Sequence, residues 1–343
     1  MDQVAIVILN YNGRAYLERF LPSVLAHSEG YPVYVADNDS TDDSVGLLRE
    51  KFPTVRLVQL PLNFGYAGGY NAALKQIEAR YFLLLNSDVE VSPGWLSPLL
   101  KLADTNPQIA ACQPKIRSYK EAHRFEYAGA AGGYIDYLGY PFCRGRLFDT
   151  VEEDQHQYDD AREIFWATGA CMLVRAEVFH QLDGFDPRFF AHMEEIDWCW
   201  RAKNAGYQIW YCPDSTVFHV GGGTLPKSNS RKTFLNYRNS LAMLYKNLPT
   251  GLVFRTIFIR LVLDGIAGGQ LLLKGNWQDT MAIIRAHFAF YSWLSFLRKQ
   301  RRSLTDLRKN RITHKQIYPH SIVGQYFIKG NKTFRDLPNS TEL

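Results

Sequence analysis

The chain is predicted to fold as an α/β domain on a mostly parallel central sheet with flanking helices, followed by a C-terminal helical appendage. Three observations carry this expectation. Apolar runs of strand length alternate with helix-period segments through the first third, the pattern of βαβ units. The 343 residues, 46% of them hydrophobic, suffice to bury a sizeable core. Beyond residue 250 the pattern changes to long apolar and aromatic stretches that lead into a basic cluster.

Taken in order, Val4 to Leu9, Val33 to Ala36, Val55 to Leu60 and Tyr81 to Leu85 have strand length and composition, while Ala15 to Ala26, Ser44 to Phe52 and Ala67 to Ala79 have helical periodicity. Expected boundaries are 1–230 for the α/β domain, with halves 1–115 and 116–230, then a helical region over 231–330 and a loose polar tail over 331–343. Five cysteines, Cys112, Cys143, Cys171, Cys199 and Cys212, show no CxxC and no even framework, which suits a reducing cytoplasm. No basic segment precedes the short apolar run at Val4, so no secretion signal is expected.

In sheets of this kind ligands bind beyond the carboxyl ends of the strands. Those ends are consistently polar: Asn10-Tyr11-Asn12-Gly13, Asp37-Asn38-Asp39-Ser40-Thr41-Asp42, Asn63-Phe64-Gly65-Tyr66-Ala67-Gly68-Gly69 and Asn86-Ser87-Asp88. Each alone is ordinary turn and cap chemistry; four in succession point to a ligand rim. A rim of carboxylates and carboxamides repels bare phosphate, so a nucleotide ligand calls for Mg²⁺ or Mn²⁺, with Asp88 as a hard oxygen ligand. Asp37 and Asp39 suit a base or ribose, and the glycines after Asn63 permit close backbone approach. Neither a P-loop nor a G-x-G-x-x-G is present, which disfavours a kinase-like NTPase and a dinucleotide enzyme.

Further along, Glu194, Glu195 and Asp197 lie among aromatic residues in Phe190-Ala191-His192-Met193-Glu194-Glu195-Ile196-Asp197-Trp198-Cys199-Trp200-Arg201. Side-by-side carboxylates in a partly apolar cleft repel, raising one pKa toward a useful general base. First-turn charge complementing a helix dipole accounts for the same residues equally simply.

Together with Ile8-Leu9-Asn10-Tyr11-Asn12, the Asp37 to Asp42 run, Asn63 to Asn71 and Leu84-Leu85-Asn86-Ser87-Asp88-Val89, this acidic motif resembles the inverting glycosyltransferases of family 2, with the GT-A fold. The similarity is nearest the rhamnosyltransferase-like and galactofuranosyltransferase-like branch of bacterial surface-polysaccharide synthesis and covers about residues 3 to 225. The resemblance implies a nucleotide-sugar-binding half and an acceptor half. Asp37 and Asp39 would lie at base and ribose, with Asn10, Asn63, Gly65, Gly69, Asn71 and Asn86 completing the donor pocket. Asn86-Ser87-Asp88 stands where the family has Asp-x-Asp, so Asn86 replaces the first acid; Asp88 and His219, in Val217-Phe218-His219-Val220-Gly221-Gly222-Gly223, would hold the divalent cation. Glu195 would be the general base. Glu194 and Asp197 would support the acceptor or the helix, and Phe165 to Ala170 would border the acceptor, with Trp166, Thr168 and Gly169 in contact; Trp166 reads as well as core.

The resemblance further implies a UDP or dTDP sugar as donor and a glycan or polyprenyl-diphosphate-linked acceptor. A nucleotidyltransferase and a non-catalytic nucleotide-sugar-binding protein are the alternatives. In the C-terminal third, Thr256, Arg260 and Asp264 draw a polar stripe on Leu252 to Leu273, and Met281 to Leu297 leads into Arg298, Lys299, Arg301, Arg302, Arg308, Lys309 and Arg311, with Asp306 among them. Three ionisable groups, Arg255, Arg260 and Asp264, make Leu252 to Leu273 a costly membrane span. Apolar faces followed by basic residues suit a peripheral position on the anionic inner face of the cell membrane; an appendage packed on the domain or in a homo-oligomer is the other reading. No nucleic-acid recognition module is recognisable.

Overall fold

The computed structural model describes residues 2–221, 229–304 and 314–343. Gly222 and Gly223 of the glycine run, and Asp306, Arg308, Lys309 and Arg311 of the basic cluster, lie outside the described residues.

The first half is β1 (Asp2–Asn10), α1 (Arg14–Ala26), β2 (Val33–Asp37), α2 (Ser44–Lys51), β3 (Arg56–Gln59), α3 (Gly65–Leu74) and β4 (Ala79–Asn86). Val4 to Ile8 are at most 2% exposed, as a strand covered on both faces requires. Their side chains alternate between two cores. Val4, Ile6 and Ile8 pack with Leu17 and Leu21 of α1 and Leu47 of α2, whereas Ala5 and Val7 pack with Ala67, Tyr70 and Leu74 of α3. Strand β1 runs parallel to both β2 and β4, and β2 parallel to β3. Helix α3 ends five residues short of the expected Ala79, which opens β4 instead.

The second half holds β5 (Val89–Val91), α4 (Leu96–Thr105), β6 (Ile109–Ser118), β7 (Gly133–Asp136), β8 (Pro141–Cys143), β9 (Arg146–Leu147), β10 (Thr150–Val151), β11 (Arg162–Ile164), β12 (Cys171–Arg175), α5 (Ala176–Gln181), α6 (Glu194–Asn204) and β13 (Gln208–His219). The main sheet has the order β11-β13-β6-β12-β4-β1-β2-β3, with β5 on β13. Strand β12 is antiparallel to both β4 and β6. The sheet is therefore mixed: β3, β2, β1 and β4 run parallel, as do β6 and β13, while β12, β11 and β5 are antiparallel to their neighbours. The reversal arises because the chain returns at the carboxyl rim, Cys171 beside Leu85, and runs back from there.

Helices α7 (Ser230–Asn247), α8 (Thr250–Leu273), α9 (Trp277–Ser292) and α10 (Leu294–Ser303) form the appendage, and β14 (Ile317–Tyr318) returns to pair with β7 in a small sheet of order β10-β9-β8-β7-β14. The expected loose tail is packed: Phe334 is 3% exposed among Tyr134, Phe142 and Tyr158, and Arg162 Nη1 donates to the Leu343 carbonyl at 3.1 Å. An aromatic among polar neighbours sufficed to dock it.

Helix α8 has its polarity inverted. Its buried residues are Thr256, Arg260, Asp264 and Gly268, while Phe254, Phe258, Val262 and Ile266 face outward, Phe254 at 84% exposure. Arg260 donates to the Leu138 carbonyl (3.0 Å) and Ser240 Oγ (2.9 Å), and Asp264 accepts from Tyr140 Oη (3.4 Å). By length and composition α8 is long and apolar enough to cross a membrane.

Candidate active site

The rim forms where β1, β2 and β4 end. Asn10 Nδ2 donates to Asp37 Oδ1 (3.1 Å) and Ser40 Oγ (3.2 Å), and the Ser40 amide donates to Asp37 Oδ2 (3.0 Å). Asp37 is thus fixed by one bond to each oxygen, with further lone pairs open to a ligand. Asp39 is exposed and left-handed, at φ 65°. Asn38 Nδ2 donates to Asn63 Oδ1 and the Gly65 carbonyl, both at 3.0 Å, and Asn63 Oδ1 also takes the Gly65 amide at 2.8 Å. These bonds brace the glycine loop against β2.

Two predicted donor residues do other work. A Cβ on Gly69 would meet Leu9 Cδ1 at 2.9 Å, so this glycine lets α3 approach β1 instead of admitting a ligand. Asn71 exchanges both polar atoms with the peptide of Phe185, donating to its carbonyl (2.7 Å) and accepting from its amide (2.9 Å). It ties the two halves together. Gly65, at φ +72°, does meet the site: a Cβ there would lie 2.6 Å from the Phe190 carbonyl oxygen, in the loop before the acidic pair.

Asp88 and His219 are brought together, with His219 Nε2 3.1 Å from Asp88 Oδ1. Asn86 Nδ2 lies 3.5 Å from the same imidazole nitrogen. A residue that the sequence did not disclose completes the arrangement: Glu126 Oε2 stands 3.1 Å from His219 Nδ1 and accepts from the Ala128 amide at 2.6 Å. Burial works against charge on His219, yet its bonds to Asp88 and Glu126 push its pKa up to about 10. Burial likewise opposes ionisation of Asp88, but His219 holds that carboxyl below its ordinary range. A pocket that drives a proton onto a buried imidazole is short of positive charge, and its oxygen and nitrogen donors suit a divalent cation. Among the described residues no third His, Cys, Asp or Glu side chain closes a cage around them.

Glu194 and Glu195 open α6. Burial, then the neighbouring Glu195 charge, raises Glu194 well above the usual carboxylate range, and burial pushes Glu195 up to about 7. Each has an Oε2 that is buried without a hydrogen-bond partner, and Glu195 is the more accessible of the two. A helix start that merely carried dipole-favouring charge would leave these groups in water. The loop before them is strained: Phe190, His192 and Met193 have φ of 64°, 70° and 73°. It is held from α7, where the fully buried Asn239 Nδ2 donates to the carbonyls of Phe189 (2.9 Å), Ala191 (3.0 Å) and His192 (2.8 Å). Arg238 adds bonds to the carbonyls of Arg188 and Phe189.

Other expected acceptor residues are structural. Asp197 is fully buried and accepts from Arg201 Nε (2.9 Å), Lys246 Nζ (2.9 Å) and Asn247 Nδ2 (2.8 Å), an anchor of α6 on α7 that has no surface for a ligand. Trp166 is 4% exposed, donates from Nε1 to the Tyr134 carbonyl at 2.9 Å and packs on Gly133. Thr168 is buried, its amide on Gln113 Oε1 and its Oγ1 accepting from Ala170 N. Gly169 is buried too, with its carbonyl taking Tyr66 Oη at 2.7 Å. The segment is buried and shapes the floor beneath the rim. Glu126, Asn239 and Tyr66 were missed because their roles depend on partners 93, 50 and 103 positions away, respectively.

A sheet whose strand ends carry this amide and carboxylate rim, with an Asp–His couple and a buried carboxylate pair on the adjoining helix, defines a glycosyltransferase of the GT-A fold. The pattern of Glycosyl transferase family 2 matches residues 5–183. The chain belongs to glycosyl transferase family 2. It is 31% identical over 235 residues to an N-acetylglucosaminyl-diphospho-decaprenol L-rhamnosyltransferase of Mycobacterium tuberculosis, covering 64% of this chain and 76% of that one. Rhamnosyltransferase WbbL of Escherichia coli K12 is 24% identical over 226 residues, 63% and 83% of the two chains. Among solved structures, GalNAc-T7 with UDP, GalNAc and Mn²⁺ superposes with a TM-score of 0.55 at 16% identity, covering 72% of this chain and 48% of that one. The mannosyltransferase PcManGT of Pyrobaculum calidifontis, with GDP-Man and Mn²⁺, gives 0.52 at 14%, covering 84% and 87%.

Proposed function

We propose that this glycosyltransferase moves a sugar, with inversion, from a UDP or dTDP sugar to a hydroxyl of a glycan carried on a polyprenyl diphosphate, at the inner face of the cell membrane. The observation that carries the reading is the unpartnered pair Glu194 and Glu195 at the end of a strained loop that touches Gly65 of the rim. Glu195, the more accessible, accepts the proton of the acceptor hydroxyl as that oxygen bonds to the anomeric carbon; the bond from that carbon to the diphosphate oxygen breaks, and the nucleoside diphosphate departs with its electron pair. Burial, which raises Glu195 to about 7, keeps it basic enough to take that proton near neutral pH. Asn10, Asp37, Asp39 and the braced Asn63–Gly65 turn receive the nucleoside.

Asp88 and His219 would hold Mg²⁺ or Mn²⁺, with Glu126 orienting the imidazole. Such an ion supplies charge neutralisation to the departing diphosphate. The name of the mycobacterial relative, which specifies a diphospho-decaprenol acceptor, supports a lipid-linked acceptor here. The outward apolar face of α8 and the basic residues of α10 support peripheral attachment, which places the reactive hydroxyl near the headgroups. A panel of UDP and dTDP sugars, assayed for cation-dependent nucleotide release with a prenyl-diphosphate-linked acceptor, tests the reading. No release from any donor refutes it.

A further inference from the structure

Beside the catalytic loop, α7 and α9 enclose a cavity of about 680 Å³ whose lining includes Arg188, Arg231, Arg238, Arg285, Trp277 and Met281. No role for this cavity follows from the rim or the carboxylate pair. Among the described residues, none of the four arginines lies within ion-pair distance of a carboxylate. Aromatic faces and carbonyls hold three of them. Arg188 lies 3.6 Å from the ring centre of Phe296, Arg238 lies 4.2 Å from that of Trp293, and Arg231 lies 4.8 Å from that of Phe190. Stacking of this kind fixes a guanidinium without neutralising it. Arg238, 9% exposed, is pulled down to about 10 by burial, the mark of a charge desolvated without a counter-ion. Asp186, the nearest acid acting on it, is already paired with Lys246 at 2.7 Å.

The cavity's other wall is apolar and continuous with the outside. Trp277 is 62% exposed and Met281 45%, and on the same helix Ile284, Phe288 and Tyr291 continue the outward apolar row at spacings of three and four. An anion that fits both parts must carry a long apolar chain. Phe190 forms the partition toward the reaction centre, since it lines the cavity and also abuts Gly65 of the donor rim. A phosphate seated among these arginines therefore lies one aromatic ring from the donor loop.

Resting on the transferase reading above, we propose that this cavity seats the diphosphate of the lipid-linked acceptor, with its prenyl chain leaving along the apolar row of α9. Arg231 and Arg285, both exposed at the mouth, take the phosphate oxygens by paired N–H donors, and Arg238 supplies charge from behind. The cavity then fixes how far the acceptor hydroxyl reaches past Phe190 toward Glu195.

The test is equilibrium binding of farnesyl diphosphate to the full chain in EDTA, which withholds the cation that the donor diphosphate needs. The wild type should bind, and the Arg231→Gln/Arg285→Gln pair should weaken binding by at least about tenfold. Inorganic pyrophosphate and farnesol, each lacking one half of the ligand, should bind at least about tenfold more weakly than farnesyl diphosphate. Arg49→Gln/Arg80→Gln removes the same charge from exposed sites away from the cavity and should change nothing. Unchanged binding in the first pair overturns the assignment, as does an equal loss in the second pair, which would indicate diffuse charge. Displacement by phosphatidylglycerol vesicles as effective as by unlabelled farnesyl diphosphate also overturns it, in favour of a headgroup site. A wild-type chain that releases nucleotide from a sugar donor yet does not bind farnesyl diphosphate refutes the cavity alone. One that binds it but uses no sugar donor refutes the transferase reading alone.

Discussion

Asn239 offers the sharpest test of how the catalytic loop is held. Its single amide nitrogen shares two hydrogens among the carbonyls of Phe189, Ala191 and His192, all within 3.0 Å, while its oxygen accepts from Arg238 Nε at 2.9 Å. The loop so gripped contains three non-glycine residues with positive φ, each storing ~1–3 kcal/mol of strain. Asn239→Ala removes the grip and leaves the carbonyls of Ala191 and His192 short of a donor, the Phe189 carbonyl keeping Arg238 and the Ala191 amide, at about 1 kcal/mol or more apiece, so about 2 kcal/mol of local stability is lost. The loop can then relax toward ordinary backbone angles and shift Glu194 and Glu195 with it. A displacement near 1 Å lowers turnover on the order of 100-fold. Nucleotide release and the urea midpoint should be measured on Asn239→Ala and Asn239→Asp, the latter keeping the shape but setting a carboxylate oxygen against carbonyl oxygens. Both should lose turnover, Asp the more severely. An alanine variant within about threefold of wild-type kcat would refute the positioning role.

The general base should show itself in the pH profile: Glu195 accepts a proton only when ionised, so kcat/KM should climb with pH through a limb near its folded value of about 7, and a profile flat from about pH 5 to 9 would count against it. Glu195→Gln should abolish transfer while nucleotide binding, followed by calorimetry, stays nearly intact. Glu194 is raised by burial above its unfolded value, so the folded state holds the extra proton between the two and stability declines as pH rises through that window. Glu194→Gln removes that decline and should be more stable than wild type on the alkaline side of that window, read from urea titrations at several pH values. Glu126→Gln should weaken Mn²⁺ affinity roughly 10–100-fold without unfolding the chain, measured by calorimetry with nucleotide present. Asp197→Ala strips a buried partner from Lys246 and Arg201 and should cost about 3–5 kcal/mol of stability; a loss below about 1 kcal/mol would show the network to be dispensable.

What could be read from the sequence was what local chemistry enforces. The apolar run Val4 to Ile8 can only be a strand covered on both sides, and the polar groups after it have to meet at the sheet's rim. Asp88 and His219 were legible as a pair through family resemblance, and they lie 3.1 Å apart. Trp166 takes the core reading of its two, and Thr168 is buried beside it, because a segment can border a site while its side chains point into the core. Asp197 serves the helix, one of its two expected roles, but its counter-charge Lys246 sits on another helix whose docking no local pattern reveals. The polar stripe of α8 was visible as periodicity, but which way it faced depended on Leu138 and Ser240 accepting Arg260.

Phe190 has a consequence for the order of events. Its ring touches the donor loop at Gly65 and carries Arg231 of the arginine cavity on its face. A partition common to two compartments cannot yield to one occupant without altering the space offered to the other. If the cavity holds the acceptor, donor and acceptor affinities are thermodynamically linked, and the factor by which one improves binding of the other is the same in both directions. The enzyme would then sense, through one aromatic side chain, whether both substrates are in place.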